Sequence, residues 1–486
     1  IQGWMILILG WVFVPFYSRS MVYTMPEFLE RRYNPQSRTI LSVISLVSYV
    51  LTKVAVTVYA GGLVFQQVFG IKELWGIDFF WIAAIGLVVL TALYTIFGGM
   101  KSVLYTSVLQ TPILLLGSLI ILVLGFKELG GWDEMMRVCG AVTVNDYGDT
   151  MTNLIRSNDD ANFPWLGALI GSAIIGFWYW CTDQFIVQRV LSGKNEKEAR
   201  RGTIFGAYLK LLPVFLFLIP GMIAFALHQK YIGAGGEGFL PMLANGTANA
   251  DAAFPTLVAK LLPAGVKGLV VCGILAALMS SLASLFNSSA MLFTIDFYKR
   301  FRPETPEKKL VGIGQIATVV IVILGILWIP IMRSVGDVLY TYLQDVQSVL
   351  APGIAAAFLL GICWKRTSAQ GGMWGLIAGM IIGLTRLGAK VYYSNAGEVA
   401  DSTFKYLFYD MNWLFFCGWM FLFCIIVVIV VSLATEAPTA EKIQGLVFGT
   451  ATKEQKAATR ASWDHWDIIH TVIILAITGA FYWYFW

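Results

Sequence analysis

The chain has 486 residues, 58% of them hydrophobic and only 13% charged, with a net charge of +5. A soluble domain is about half apolar and about a quarter charged, so this composition excludes an ordinary water-soluble globular protein. The mean hydropathy of +0.72 points to a chain that meets the lipid bilayer, and no nucleic-acid partner is expected.

A hydrocarbon core about 30 Å thick calls for about 20 apolar residues per helix. Runs long enough to span cover 1–17 (partial), 38–70, 78–97, 104–126, 164–191, 200–228, 264–298, 309–330, 335–364, 370–394, 411–435 and 466–485, about twelve in all. They far exceed the roughly ten-residue strands of a membrane barrel. In lipid the backbone must satisfy its own hydrogen bonds. The expected fold is therefore an all-α integral membrane protein. The run 1–17 has no charged segment before it, which does not fit a signal peptide, and it reads as a helix continued from residues before Ile1.

Lys and Arg in short loops mark the cytoplasmic side. The segments around Arg31-Arg32, Lys194 to Arg201, Lys299 to Lys309 and Lys365-Arg366 are basic, and they alternate with the acidic or neutral loops 127–163 and 229–263. The two latter loops are expected outside, together with the sequon Asn245-Gly246-Thr247. Loop 436–465 is placed in the cytoplasm by alternation, and Trp486 then ends outside. No linker divides the chain, so residues 1–486 are read as one transmembrane domain. Six cysteines mostly in or beside apolar runs are not a disulfide framework. The three histidines do not cluster, and no nucleophile–base pair suggests an enzyme.

Ionisable groups inside a bilayer cost several kcal/mol and are candidate functional residues. In chain order, Lys53 is the first near membrane depth, and spacing assigns it no role. Trp178-Tyr179-Trp180-Cys181-Thr182-Asp183-Gln184 joins aromatic rings to polar groups. It reads either as a sugar-stacking platform or as an interfacial aromatic belt, with Asp183 and Arg189 as a structural pair. Lys210 lies about ten residues past Arg200-Arg201, about 15 Å deep at 1.5 Å per residue. That is too deep to snorkel, so it faces a watery cavity, a polar ligand or a carboxylate. Ala277, Ser280 and Ser281 sit in a run of small residues, suited either to close helix packing or to part of a sodium shell, since hard cations prefer oxygen. Asp296 is also near membrane depth without an assigned role. Gln344 precedes Pro352-Gly353, where freed carbonyls can serve as ligands. Its amide both donates and accepts, as sugar hydroxyls require, while Asp345, one residue round the helix, faces elsewhere.

From residue 1 to about 435 the chain resembles the sodium/solute symporter family, most closely its sodium/glucose cotransporter branch. The landmarks are Thr24-Met25-Pro26-Glu27-Phe28-Leu29, Phe97-Gly98-Gly99-Met100-Lys101-Ser102, Trp178 to Arg189, Tyr208-Leu209-Lys210-Leu211, Met279-Ser280-Ser281-Leu282-Ala283-Ser284 and Phe358 to Arg366. The resemblance implies an inverted-repeat (LeuT-like) symporter core plus peripheral helices, in the plasma (inner) membrane. It implies a co-transported sodium ion and a small-molecule sugar substrate, a hexose before inositol, sialic acid or another small polar solute. A membrane sensor or channel is the remote alternative. By that resemblance Lys210 and Gln344 bind sugar, Tyr179 is the inner gate stacking under it, and Tyr340 stands at the outer gate. Ala277, Ser280 and Ser281 are the implied sodium ligands. Gln2 and Gly176 fall at variable sugar-site positions. Ser107 replaces an Asp that in some members helps bind or release sodium, which argues for one sodium rather than two. The family's first core helix falls before Ile1.

Overall fold

The structure, a computed structural model, describes residues 2–20, 22, 24–243, 246–335, 338–395 and 402–485. Side chains at 2, 94, 96–104, 106, 109 and 332–335 are outside that description, as are Asn245 of the sequon and Trp486.

Helix α1 (Gly3–Ser20) leads into α2 (Met25–Arg32), which starts where Thr24 Oγ1 accepts from Glu27 N and Pro26 occupies the first turn. Serine, threonine and asparagine caps satisfy the orphan N–H groups of a helix start. Asn34 does so for α3 (Pro35–Phe69), accepting from Ser37 N, and Gly70 stops that helix at a φ of 66°. Helix α4 (Phe79–Leu129) is capped by Asp78 and ends at Gly130. Its 51 residues would stretch about 75 Å if straight, more than twice the apolar thickness of a bilayer.

The next stretch is α5 (Trp165–Thr182), then a break, then the short α6 (Gln184–Leu191). Helices α7 (Glu196–Gly233), α8 (Ala264–Phe301) and α9 (Glu307–Val335) follow. The chain closes with α10 (Leu339–Cys363), α11 (Ala369–Asn395), α12 (Trp413–Ala434) and α13 (His465–Tyr484). Among the described residues ten helices are long and apolar enough to cross a membrane, and eleven if α1 and α2 count as one span.

The span α10 lies at the centre, with 83% of its apolar window enclosed by protein, whereas α13 has 11%. Small residues let α10 approach its neighbours. A Cβ on Gly353 would lie 3.0 Å from Gly379 Cα of α11, the close crossing that small residues permit in membranes. On α13, Ile468, Val472 and Leu475 are exposed, as expected of a helix facing lipid. Two cores meet near the α5–α6 break. Trp178 and Cys181 belong to one, with Phe28 and Phe358. Phe185 belongs to the other, with Tyr49, Leu285 and Tyr342.

Several spans carry a π-helical turn, at Tyr49–Val54, Trp178–Thr182 and Leu292–Tyr298 among others. Such turns occur often at functional sites. These three hold Lys53, Tyr179 and Asp296.

Candidate functional site

The α5–α6 break is built by Asp183. Its backbone is extended (φ −79°, ψ 125°), and its carboxylate caps α6 by accepting from Phe185 N. The π turn just before it places Tyr179 half-buried, edge-on to Trp180 with ring centroids 5.2 Å apart. The Lys210 Nζ lies 5.5 Å from the Trp180 ring centroid. That is within cation–π range. Lys210 is half-buried, and among the described residues it forms no ion pair and no hydrogen bond. A lysine at this depth with a ring beside it and no anion keeps three donors for something else. Gly176, one turn before Tyr179, is buried in α5. Gln2 starts the first helical segment, Gln2–Ile8, just before Gly3, and its side chain is outside the described residues.

Gln344 and Tyr340 are one turn apart near the start of α10, and Gln344 Nε2 donates to Tyr340 Oη at 2.9 Å. Tyr340 is 55% exposed. Asp345 turns away from them to Arg386 and Lys390 of α11, each at 3.5 Å. The start of α10 is tied to the segment between α7 and α8, where the Asp251 carboxylate accepts from Leu339 N at 3.0 Å. Burial there pushes the Asp251 carboxyl up from its ordinary range, against the pull of that hydrogen bond.

On α8, Ala277 and Ser281 are four residues apart and share a face, with Ser280 about 100° round the helix. Ser281 is exposed and Ala277 half-buried. The Ser280 and Ser107 hydroxyls meet at 2.5 Å, so α4 reaches α8 at Ser107. Ser284 Oγ donates to the Ser280 carbonyl at 3.0 Å. Among the described residues no group of three or more His, Cys, Asp or Glu could hold a metal ion. Hydroxyl and carbonyl oxygens suit a hard monovalent cation.

The structure thus brings Tyr179 and Lys210 to one indole, bonds Gln344 to Tyr340, and aligns the three candidate sodium positions on one helix. It corrects one pairing. Asp183 is the ion partner of Lys53 on α3, not of Arg189. The Lys53 Nζ also lies within 6.0 Å of the rings of Tyr49, Trp178, Tyr179 and Phe185, and Tyr49 Oη donates to Asp183 at 2.9 Å. Asp296, the other residue without a role, is fully buried and binds Arg38 at 2.6 Å, with Thr24 and Ser42 donating to it. Membrane depth flagged Lys53 and Asp296. Their partners lie 130 and 258 residues away in sequence, and no local spacing encodes that.

Comparison with known proteins places this geometry. Residues 1–379 match the family described as Sodium:solute symporter. A sodium/mannose cotransporter of Bos taurus is 36% identical over 99% of this chain and 83% of its own length. Sodium/glucose cotransporter 1 of Ovis aries is 37% identical over 89% of this chain and 67% of its own. Human sodium/myo-inositol cotransporter 2 is 35% identical over 92% and 67%. Among solved structures, an outward-open Na+-coupled sialic acid symporter superposes with a TM-score of 0.68 at 21% identity, covering 90% of this chain and 84% of that one. That likeness establishes the fold, an all-α, inverted-repeat (LeuT-like) core with peripheral helices. The protein is a multi-pass membrane transporter and not an enzyme. The chain belongs to the sodium:solute symporter family.

Proposed function

We propose that the chain carries a hexose of the glucose or galactose type together with sodium, by alternating access across the plasma (inner) membrane. Lys210 carries the reading. It is a lysine at membrane depth beside an indole, with no ion pair among the described residues. Its ammonium donors and the Gln344 amide match the donor and acceptor pattern of sugar hydroxyls. Tyr179 closes the inner side and Tyr340 the outer side. Ala277, Ser280 and Ser281 supply sodium oxygens from α8, and Ser107 in place of an acid fits one sodium per cycle. Gln2 and Gly176 tune the sugar pocket.

Each ligand favours the same conformational path, and that linkage is reciprocal. One positive charge moving through 100 mV contributes about 2.3 kcal/mol, enough to concentrate sugar tens of fold. In this reading α4 holds two passes, because a run of that length cannot lie across one bilayer. The chain then has about twelve spans, with 127–163 and 229–263 outside, 436–465 in the cytoplasm and the C-terminus outside. A second reading, myo-inositol as the solute, is supported by the 35% identity to sodium/myo-inositol cotransporter 2. Uptake of labelled glucose into proteoliposomes, with and without an inward sodium gradient, tests the proposal. Gradient-driven uptake competed by galactose is expected. Uptake that ignores sodium, or that only inositol or sialic acid competes, rejects the hexose assignment.

A further inference from the structure

The short helix α6 touches the gate segment at one end and the candidate sodium helix at the other. At its start, Asp183 receives Lys53, whose ammonium also sits 5.2 Å from the Tyr179 ring centroid. At its end, Arg189 Nη2 donates to Ser284 Oγ of α8. Gln188 Nε2 donates to the Ser284 carbonyl at 3.3 Å and to the Ser288 hydroxyl. The same Ser284 hydroxyl donates to the Ser280 carbonyl at 3.0 Å. Phe185 connects the two ends, because its ring lies 4.3 Å from Lys53 Nζ and 5.2 Å from the Arg189 guanidinium.

We infer that α6 couples sodium occupancy to the gate, with Arg189 as the positioning residue that reads the sodium site through Ser284. The inference rests on the proposed roles of Ser280 and Tyr179. The physical argument is one of charge and stiffness. A sodium ion at Ser280 and the Arg189 guanidinium are like charges joined through a single serine. Occupancy by sodium therefore weakens the hold of Arg189 on Ser284, and loss of sodium restores it. Eight residues in two hydrogen-bonded turns form a rod about 12 Å long. A shift at Arg189 is thereby delivered to Asp183, and so to Lys53 and the Tyr179 ring. The two ligands need not touch. Each biases one element with two arrangements, which is the physical requirement for coupling.

The test is the ratio of D-glucose affinities of the full chain in sodium and in potassium, with myo-inositol as the second probe. A coupling of ordinary size gives the wild type a ratio of about 5–150. Arg189→Gln and Ser284→Ala should each bring it below about 2 by raising the affinity in potassium toward the wild-type sodium value, and not add in the double variant. Arg189→Lys, which keeps the donor and charge, should restore most of it. A wild-type ratio retained in Ser284→Ala overturns the inference, even where Arg189→Gln does not fold. A wild-type ratio of one with both probes overturns the proposed function and takes this inference with it.

Discussion

Polar groups at membrane depth fall into two regions that differ in how they are bonded. Around the α5–α6 break and the end of α8, the charges of Lys53, Asp183 and Asp296 are each answered. Lys53 has Asp183, Asp183 also has Tyr49 and a backbone N–H, and Asp296 has Arg38, Thr24 and Ser42. At Lys210 on α7 and at Gln344 on α10 the bonds are sparse. Lys210 has one indole face, and Gln344 has one donated bond to an exposed tyrosine. A buried charge with a complete shell holds the fold, and removing one partner is strongly destabilising. A polar group held at depth without its bonds keeps capacity for a ligand. Under the proposed function, the difference separates residues that hold the transporter together from residues that would meet its cargo.

The contrast predicts where stability and binding part company. Asp296→Ala strips Arg38 of a partner whose side chain is fully buried, and should cost about 3–5 kcal/mol of stability. Glu30, on the other side of Arg38 at 2.6 Å, sets the lower end of that range. Thermal unfolding in detergent measures it, and an unchanged midpoint would erase the distinction between the regions. Lys210→Ala comes next. A hydrogen bond to a charged group is worth about 1.5–3 kcal/mol, so glucose affinity should fall about 10- to 150-fold while the unfolding midpoint holds. A loss of stability instead of affinity would move Lys210 into the structural set. Gln344→Ala removes neutral bonds worth about 0.5–1.5 kcal/mol. Its glucose affinity should fall by roughly three- to tenfold, and Gln344→Glu should not recover it, because the amide donor is gone.

Much of the fold was legible because lipid imposes a simple rule: long apolar runs become helices. The run 104–126 falls inside α4, and 370–394 is nearly the whole of α11. Pro352 stays inside α10 without breaking it, so its neighbourhood has no loop. The site was legible in part. Depth picked out Lys53, Lys210 and Asp296, and motif order picked out Tyr179, Gln344 and the α8 serines. Three things were hidden. The Lys53–Asp183 pair spans helices that only tertiary packing brings together. The π turns leave the apolar pattern unchanged, since one extra residue per turn does not alter composition. Arg189, six residues after Asp183, bonds Ser284 of α8, a contact that tertiary packing alone creates.

The smallest expected effect concerns a third set of charges, outside the membrane, which sharpens the contrast because water surrounds them. In the loop 141–163, burial pushes the Asp160 carboxyl up, but N–H groups of Phe163 and Asn162 and the charge of Arg156 outweigh it and hold it below the usual range. The Asn145 side chain and Ser157 N hold Asp149 low as well. A carboxyl with a lowered folded pKa contributes stability above its unfolded value, about 3.9, and that contribution disappears as pH falls through the folded value. Amide protection across 145–163, taken relative to the intrinsic exchange rate at each pH, should therefore be flat from pH 7 to pH 5 and fall only below about pH 4. Asp160→Asn should weaken that acid dependence without changing glucose affinity. If the loop loosened between pH 7 and 5 instead, a buried histidine that gains its charge there would control it. Asp251, whose carboxyl burial pushes up, predicts the opposite sign at the start of α10, because its protonation on acidification favours the folded state.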